Sequence, residues 1–190
     1  MGLVLLFFVN ISFGSITIPF KDIYTSLTGG QASKSTWEYI IINYRLPKAI
    51  TAILVGMGLS ISGLLMQTLF RNPLAGPYVL GLSSGASLGV AFVLLGASLL
   101  PPFLSTLLLS SYGVVLASTI GSSVVLLAVL MVSQKLRDTM AILIVGLMFG
   151  SFTSAIVGVL TYFSSAEQLQ KFTFWSMGNL GNLSWSSIVI

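Results

Sequence analysis

The side chains of this sequence that could do chemistry are few and far apart. Four carboxylates (Asp22, Glu38, Asp138, Glu167) and eight cations (Lys21, Lys34, Arg45, Lys48, Arg71, Lys135, Arg137, Lys171) carry all the formal charge of its 190 residues, and histidine and cysteine are absent. The acids are scattered, so no paired-carboxylate site presents itself. Without histidine and cysteine there are no disulfides, no thiolate or imidazole metal sites, and no imidazole to act as general base. A Gly-x-x-x-x-Gly-Lys-Ser/Thr phosphate loop does not occur either, so any nucleotide hydrolysis falls to a partner. A membrane-embedded enzyme would need a nucleophile or a cluster of acids or histidines at a membrane face, and this sequence offers neither.

The elements that hold these residues are apolar. Hydrophobic residues make up 55% of the chain and charged ones 6%, against roughly 25% charged in ordinary soluble domains. Residues 49–70, 72–134 and 139–166 contain no Asp, Glu, Lys or Arg. A helix needs about 20 apolar residues to cross a bilayer, so these runs hold about four spans. No ionisable residue lies deep in them, which argues against an ion-coupled carrier or proton relay. The net charge of +4 rests on isolated cations at segment ends. It reads as the flanks of membrane spans rather than a nucleic-acid surface.

The fold expected is all-α and polytopic, a single transmembrane domain over residues 1–190 with five to six spans. Residues 1 to about 18 form the first span or its remainder. Residues 1–13 have no basic leader segment, against a cleavable signal peptide, and are short for a span, so the chain is expected to begin partway through its first helix. Residues 19–46 are a polar interlude with short interfacial helices near 23–27 and 37–42. Pro47 suits the first turn of a second span ending near Phe70. Arg71, Asn72, Pro73 and Gly76 mark a tight turn. A third span then runs from about Tyr78 to Leu99, where Pro101-Pro102 follows. A fourth ends near Val132, and a fifth runs from Thr139 to about Phe163, its start capped by Asp138 or Thr139. A second polar interlude follows, and a sixth span begins near Ser184 or Trp185 and reaches Ile190. Trp175 and Trp185 suit interfacial anchors.

Small residues recur at four-residue spacing: Gly81, Gly85 and Gly89; Gly113, Ala117 and Gly121; and Gly146, Gly150, Ser154 and Gly158. Such stripes let helix backbones approach closely in lipid, and the alternative for any one of them is to line a solute pathway. Orientation stays open on charge. Lys21, Lys34, Arg45, Lys48 and Lys171 fall on one side, and the raw count of positive charge puts that side in the cytoplasm. Arg71, Lys135 and Arg137 fall on the other, in the shortest loops, to which the rule gives most weight.

Residues 45–89 narrow the reading. Arg45-Leu46-Pro47-Lys48, the small residues between Gly56 and Gly63, Met66 through Pro77, and Leu80-Gly81-Leu82-Ser83-Ser84-Gly85-Ala86 together resemble the FecCD family. The likeness continues through residues 133–150 and Phe174-Trp175-Ser176-Met177-Gly178, and so covers nearly the whole chain. These are permease subunits of ABC importers for siderophores, haem and cobalamin in the bacterial inner membrane. The resemblance implies a ten-helix protomer, paired as a homodimer in the lipid bilayer. It would sit on ATPase subunits that carry the ATP and receive cargo from an extracytoplasmic substrate-binding protein. No cofactor or nucleic acid is implied for this chain.

On that template residues 71–77 and 134–138 are cytoplasmic, and Arg45 and Lys48 face outward to dock acidic residues of the binding protein. Thr139 and Met140 narrow the pathway at its cytoplasmic end, and the small face of the fifth helix lines it. The last helices and the ATPase-coupling segment would lie beyond residue 190. The competing expectation is a truncated, non-transporting fragment with a structural or regulatory role.

Overall fold

The computed structural model describes residues 1–96, 101–136, 138–180, 183 and 185–188. Leu99, Ser184 and Ile190, which bound two of the expected spans, and Arg137 lie outside the described residues. The helices among the described residues are α1 (Gly2–Ser12), α2 (Phe20–Leu27), α3 (Ser35–Ile40), α4 (Leu46–Phe70), α5 (Leu82–Leu94), α6 (Pro102–Leu108), α7 (Ser111–Ser133), α8 (Thr139–Tyr162), α9 (Ala166–Ser176) and α10 (Trp185–Ile188), and α5 to α8 lie within the charge-free runs. Among the described residues, helical continuity from Ser35 to Phe70, with α7 and α8, gives three helices long and apolar enough to cross a membrane, and α1 and α5 are shorter apolar helices. The chain is an all-α polytopic membrane protein.

The chain forms two compact units. In the first, residues 1–58 and 179–190, the isoleucines 11, 18, 23 and 41 with Ala49 make a buried core, flanked by Phe7, Phe8, Trp37 and Leu46. The helix expected near 37–42 is not separate. It passes through a π turn, Ile41–Arg45, directly into α4. Pro47 is the second residue of α4 rather than a fresh helix start. A proline inside a helix removes a main-chain donor and crowds the preceding turn, and the wider π turn just before it relieves the crowding.

In the second unit, residues 59–178, α5 packs on α7 and α8. The third expected span is divided. A 3-10 turn, Pro77–Leu80, leads to Gly81 in the left-handed region (φ +76°), and only then does α5 begin. Its 13 residues extend about 20 Å, against about 30 Å of hydrocarbon. The second interlude contains α9, started by a capping box in which Ser165 and Gln168 satisfy each other's main-chain N–H groups.

Candidate functional site

Arg45 closes the π turn, and its guanidinium is engaged within the chain. Nη1 donates to Ile11 O at 2.5 Å and Ser12 O at 2.8 Å, and Nη2 donates to Ile16 O. The first two carbonyls belong to the C-terminal end of α1, which has no intrahelical donors for them and carries partial negative charge. Lys48, one turn further on, is exposed. Both line a cleft of about 370 Å³ with Asn10, Ser15 and Tyr44. In the same unit Asp22 accepts from Ser33 N at 2.7 Å. Hydrogen bonds from the Ser33 side chain and main chain hold its carboxyl below the ordinary value.

In the second unit the glycine stripes meet one another. A Cβ on Gly85 would lie 2.7 Å from Gly121 O, and one on Gly89 would strike Ala117 O. A Cβ on Gly81 would lie 2.9 Å from Gly146 O, and one on Gly146 would lie 2.8 Å from Leu80 Cα. Gly150 is looser, its nearest atoms being Ser84 Oγ at 3.5 Å and Gly81 Cα at 3.6 Å, while Gly158 has nothing within 4 Å. These contacts bring α5 against α7, and the Gly81 bend against α8. Along the α8 side the stripe also opens a cleft of about 650 Å³, lined by Tyr78, Gly81, Ser84, Gly150, Ser151 and Ser154. A second cleft of about 280 Å³ shares Ser84 and Ser154 and adds Ser83, Ser87, Phe172 and Ser176. Ser154 was expected from its place in the stripe. The other serines were not singled out as cleft residues, although Ser83 and Ser84 lie in the motif series and Ser87 follows Ser83 at four-residue spacing.

The turn after α4 is a Schellman cap, with Asn72 N donating to Gln67 O at 3.1 Å and Arg71 N to Thr68 O at 3.3 Å. Arg71 occupies the position usually held by glycine, at φ +48°. Asn72 Oδ1 accepts from Leu74 N at 2.9 Å, and Gln67 Nε2 donates to Pro73 O at 3.0 Å. Gly76 is buried against the Tyr78 ring. All four residues therefore lie in the cap and turn that follow α4.

At the start of α8, Asp138 is the N-cap, accepting from Met140 N at 3.0 Å. Thr139 and Met140 are both exposed in the first turn. On α9, Lys171 Nζ lies 2.7 Å from Glu167 Oε1 and holds that carboxyl below its ordinary value. Among the described residues no three of His, Cys, Asp and Glu come together. The chemistry available is that of hydroxyls, carbonyls and isolated cations.

Comparison with known proteins gives the same architecture. The model of the FecCD transport family matches residues 2–190. The chain is 36% identical over 189 residues to the hemin transport system permease protein HmuU of Yersinia pestis, covering 99% of this chain and 54% of that one. It is 34% identical over 160 residues to the vitamin B12 import system permease protein BtuC of Escherichia coli, covering 84% and 46%. A Helicobacter pylori protein described as an iron chelatin transport system permease is 36% identical over 157 residues, covering 82% and 44%. The chain thus spans about half the length of the curated relatives it matches. A solved structure described as a metal-chelate type ABC transporter in an inward-facing conformation superposes with a TM-score of 0.79 at 26% identity, covering 98% of this chain and 54% of that one.

Proposed function

Because the chain belongs to the FecCD transport family, we propose that it forms the N-terminal part of a permease subunit moving an iron chelate, haem or cobalamin into the cytoplasm. The family consists of transport permeases rather than enzymes, and ATP hydrolysis is assigned to a partner ATPase. The observation that carries this reading is the family match along residues 2–190. The relatives named for haem, vitamin B12 and iron chelatin transport support the cargo class.

On this reading the end of α4 bearing Arg45 and Lys48 faces outward and meets the substrate-binding protein. The two cations have different work. Lys48 is exposed and meets the partner's acids, where charge speeds encounter and sets register more than it adds affinity. Arg45 fixes the end of α1 beside it. The Arg71–Pro77 turn and the start of α8 face the cytoplasm, where Thr139 and Met140 form the narrow end of the path. The serine-bearing clefts supply a neutral, weakly polar wall. Such a wall suits a bulky chelate whose tight binding is done by the binding protein. The permease works as a homodimer in the bacterial inner membrane.

The reading is tested by uptake into proteoliposomes holding the intact permease with its ATPase and binding protein. Labelled haem, ferric siderophore and cobalamin are offered separately. ATP-dependent accumulation of one of the three is expected. Accumulation of none, with both partners bound, would contradict it. Tryptophan at 139 or 140 is expected to slow uptake without weakening binding-protein association, and unchanged uptake would remove the gate.

A further inference from the structure

Pro47 breaks the main-chain ladder between Ser35 and Phe70 at a definite rung. In the π turn the Leu46 N–H donates to Ile41 O, five residues back. The next rung would run from residue 47 to the Ile42 carbonyl, but proline has no N–H to give. The Trp185 indole Nε1–H donates to that same Ile42 oxygen at 3.0 Å, from 143 residues away in sequence. Trp185 is the first residue of α10, and both residues belong to the first unit. The other end of the π turn is Arg45, whose guanidinium holds the carbonyls of Ile11, Ser12 and Ile16. The turn thus accepts a side-chain donor from Trp185 near one end and sends its own donor, Arg45, to the end of α1 at the other.

We propose that Trp185 is a positioning residue for the docking end of the permease: its N–H keeps the π turn in register and so sets the direction in which Arg45 and Lys48 point. The inference rests on the docking reading above. A π turn carries one residue more than an α-helical turn, and one residue of register corresponds to about 100° of rotation about the helix axis. Without the indole donor, the favoured response is for the turn to find another register, which swings Arg45 away from the end of α1. The link also ties the start of α10 to the surface that receives the binding protein.

The experiment uses the intact permease in lipid nanodiscs with its binding protein. Trp185→Phe keeps a ring and removes the donor, and Pro47→Ala supplies a main-chain N–H to the ladder. Trp185→Phe is expected to slow binding-protein association about tenfold at low ionic strength, and to add no further loss when Pro47→Ala is present. Equal losses in both backgrounds would overturn the proposal, since the ring rather than the N–H would then matter. No loss in either background would overturn it as well.

Independently, the indole N–H of Trp185, assigned by its disappearance in Trp185→Phe, is expected to exchange slowly with solvent deuterium. Free exchange would overturn the bond itself. If the wild-type permease bound no binding protein, the docking reading would fall and the positioning role with it, while indole exchange would still decide the bond.

Discussion

Removing the Arg45 guanidinium leaves the carbonyls of Ile11, Ser12 and Ile16 without their side-chain donor. A hydrogen bond to a charged group contributes about 1.5–3 kcal/mol. Arg45→Ala is therefore expected to lower the thermal midpoint in detergent. Lys48→Glu, at an exposed site, should leave that midpoint alone while slowing binding-protein association and weakening its salt dependence. Equal effects of the two substitutions on stability would contradict this division of labour. Arg71 offers the opposite test. At φ +48° it holds a backbone conformation that glycine accepts more readily, so Arg71→Gly should stabilise the turn by about 0.5–1 kcal/mol. A loss of stability would mean that the Arg71 side chain does more than cap α4. Asp22 adds a pH signature. Its folded carboxyl lies below its ordinary value of 3.8, so its contribution is present above that pH and is lost as pH falls through the lower folded value. Protection of the Ser33 amide in hydrogen exchange should exceed that in Asp22→Asn at neutral pH, and the gap should close in strong acid.

Within one helix face the glycines of α8 make separable predictions. Gly146→Ala places a Cβ 2.8 Å from Leu80 Cα, a main-chain atom, whereas Gly150→Ala meets its neighbours at 3.5 and 3.6 Å. The first should destabilise the α8 packing by about 1–3 kcal/mol, and the second should be nearly neutral. Both can be read as denaturation midpoints in detergent, and a reversed order would contradict the packing. These stripes were legible in the sequence because four-residue spacing survives into contacts, as Gly85 with Gly121 shows. The cap of α8 was legible as Asp138 or Thr139, and the structure assigns it to Asp138. Other elements were hidden for physical reasons. Gly81 reads as one more stripe residue, and only its φ of +76° shows it to be a left-handed bend. The residues before Pro47 read as an interlude with a new span starting at the proline, because sequence pattern does not distinguish a fresh start from a π turn that precedes the proline. Helix α9 was concealed by its polarity, although Ser165, Gln168 and the Glu167–Lys171 pair carried a start signal and an i,i+4 pair that mark it.

For the whole molecule, family membership was legible because the motif series from Arg45 to Ala86 preserves order and spacing, which composition alone does not. The serine-bearing clefts emerged only once α5 and α8 were brought together. Generic hydroxyls do not select one chelate, and on the proposed reading function at this scale belongs to an assembly of permease, ATPase and binding protein. The most direct measurement is therefore ATP hydrolysis by that assembly in liposomes, with haem, ferric siderophore and cobalamin supplied in turn on the loaded binding protein. The account predicts stimulation by one of these cargoes, reduced by Lys48→Glu at physiological ionic strength. Hydrolysis indifferent to every loaded binding protein, in an assembly that does form, would contradict the importer reading.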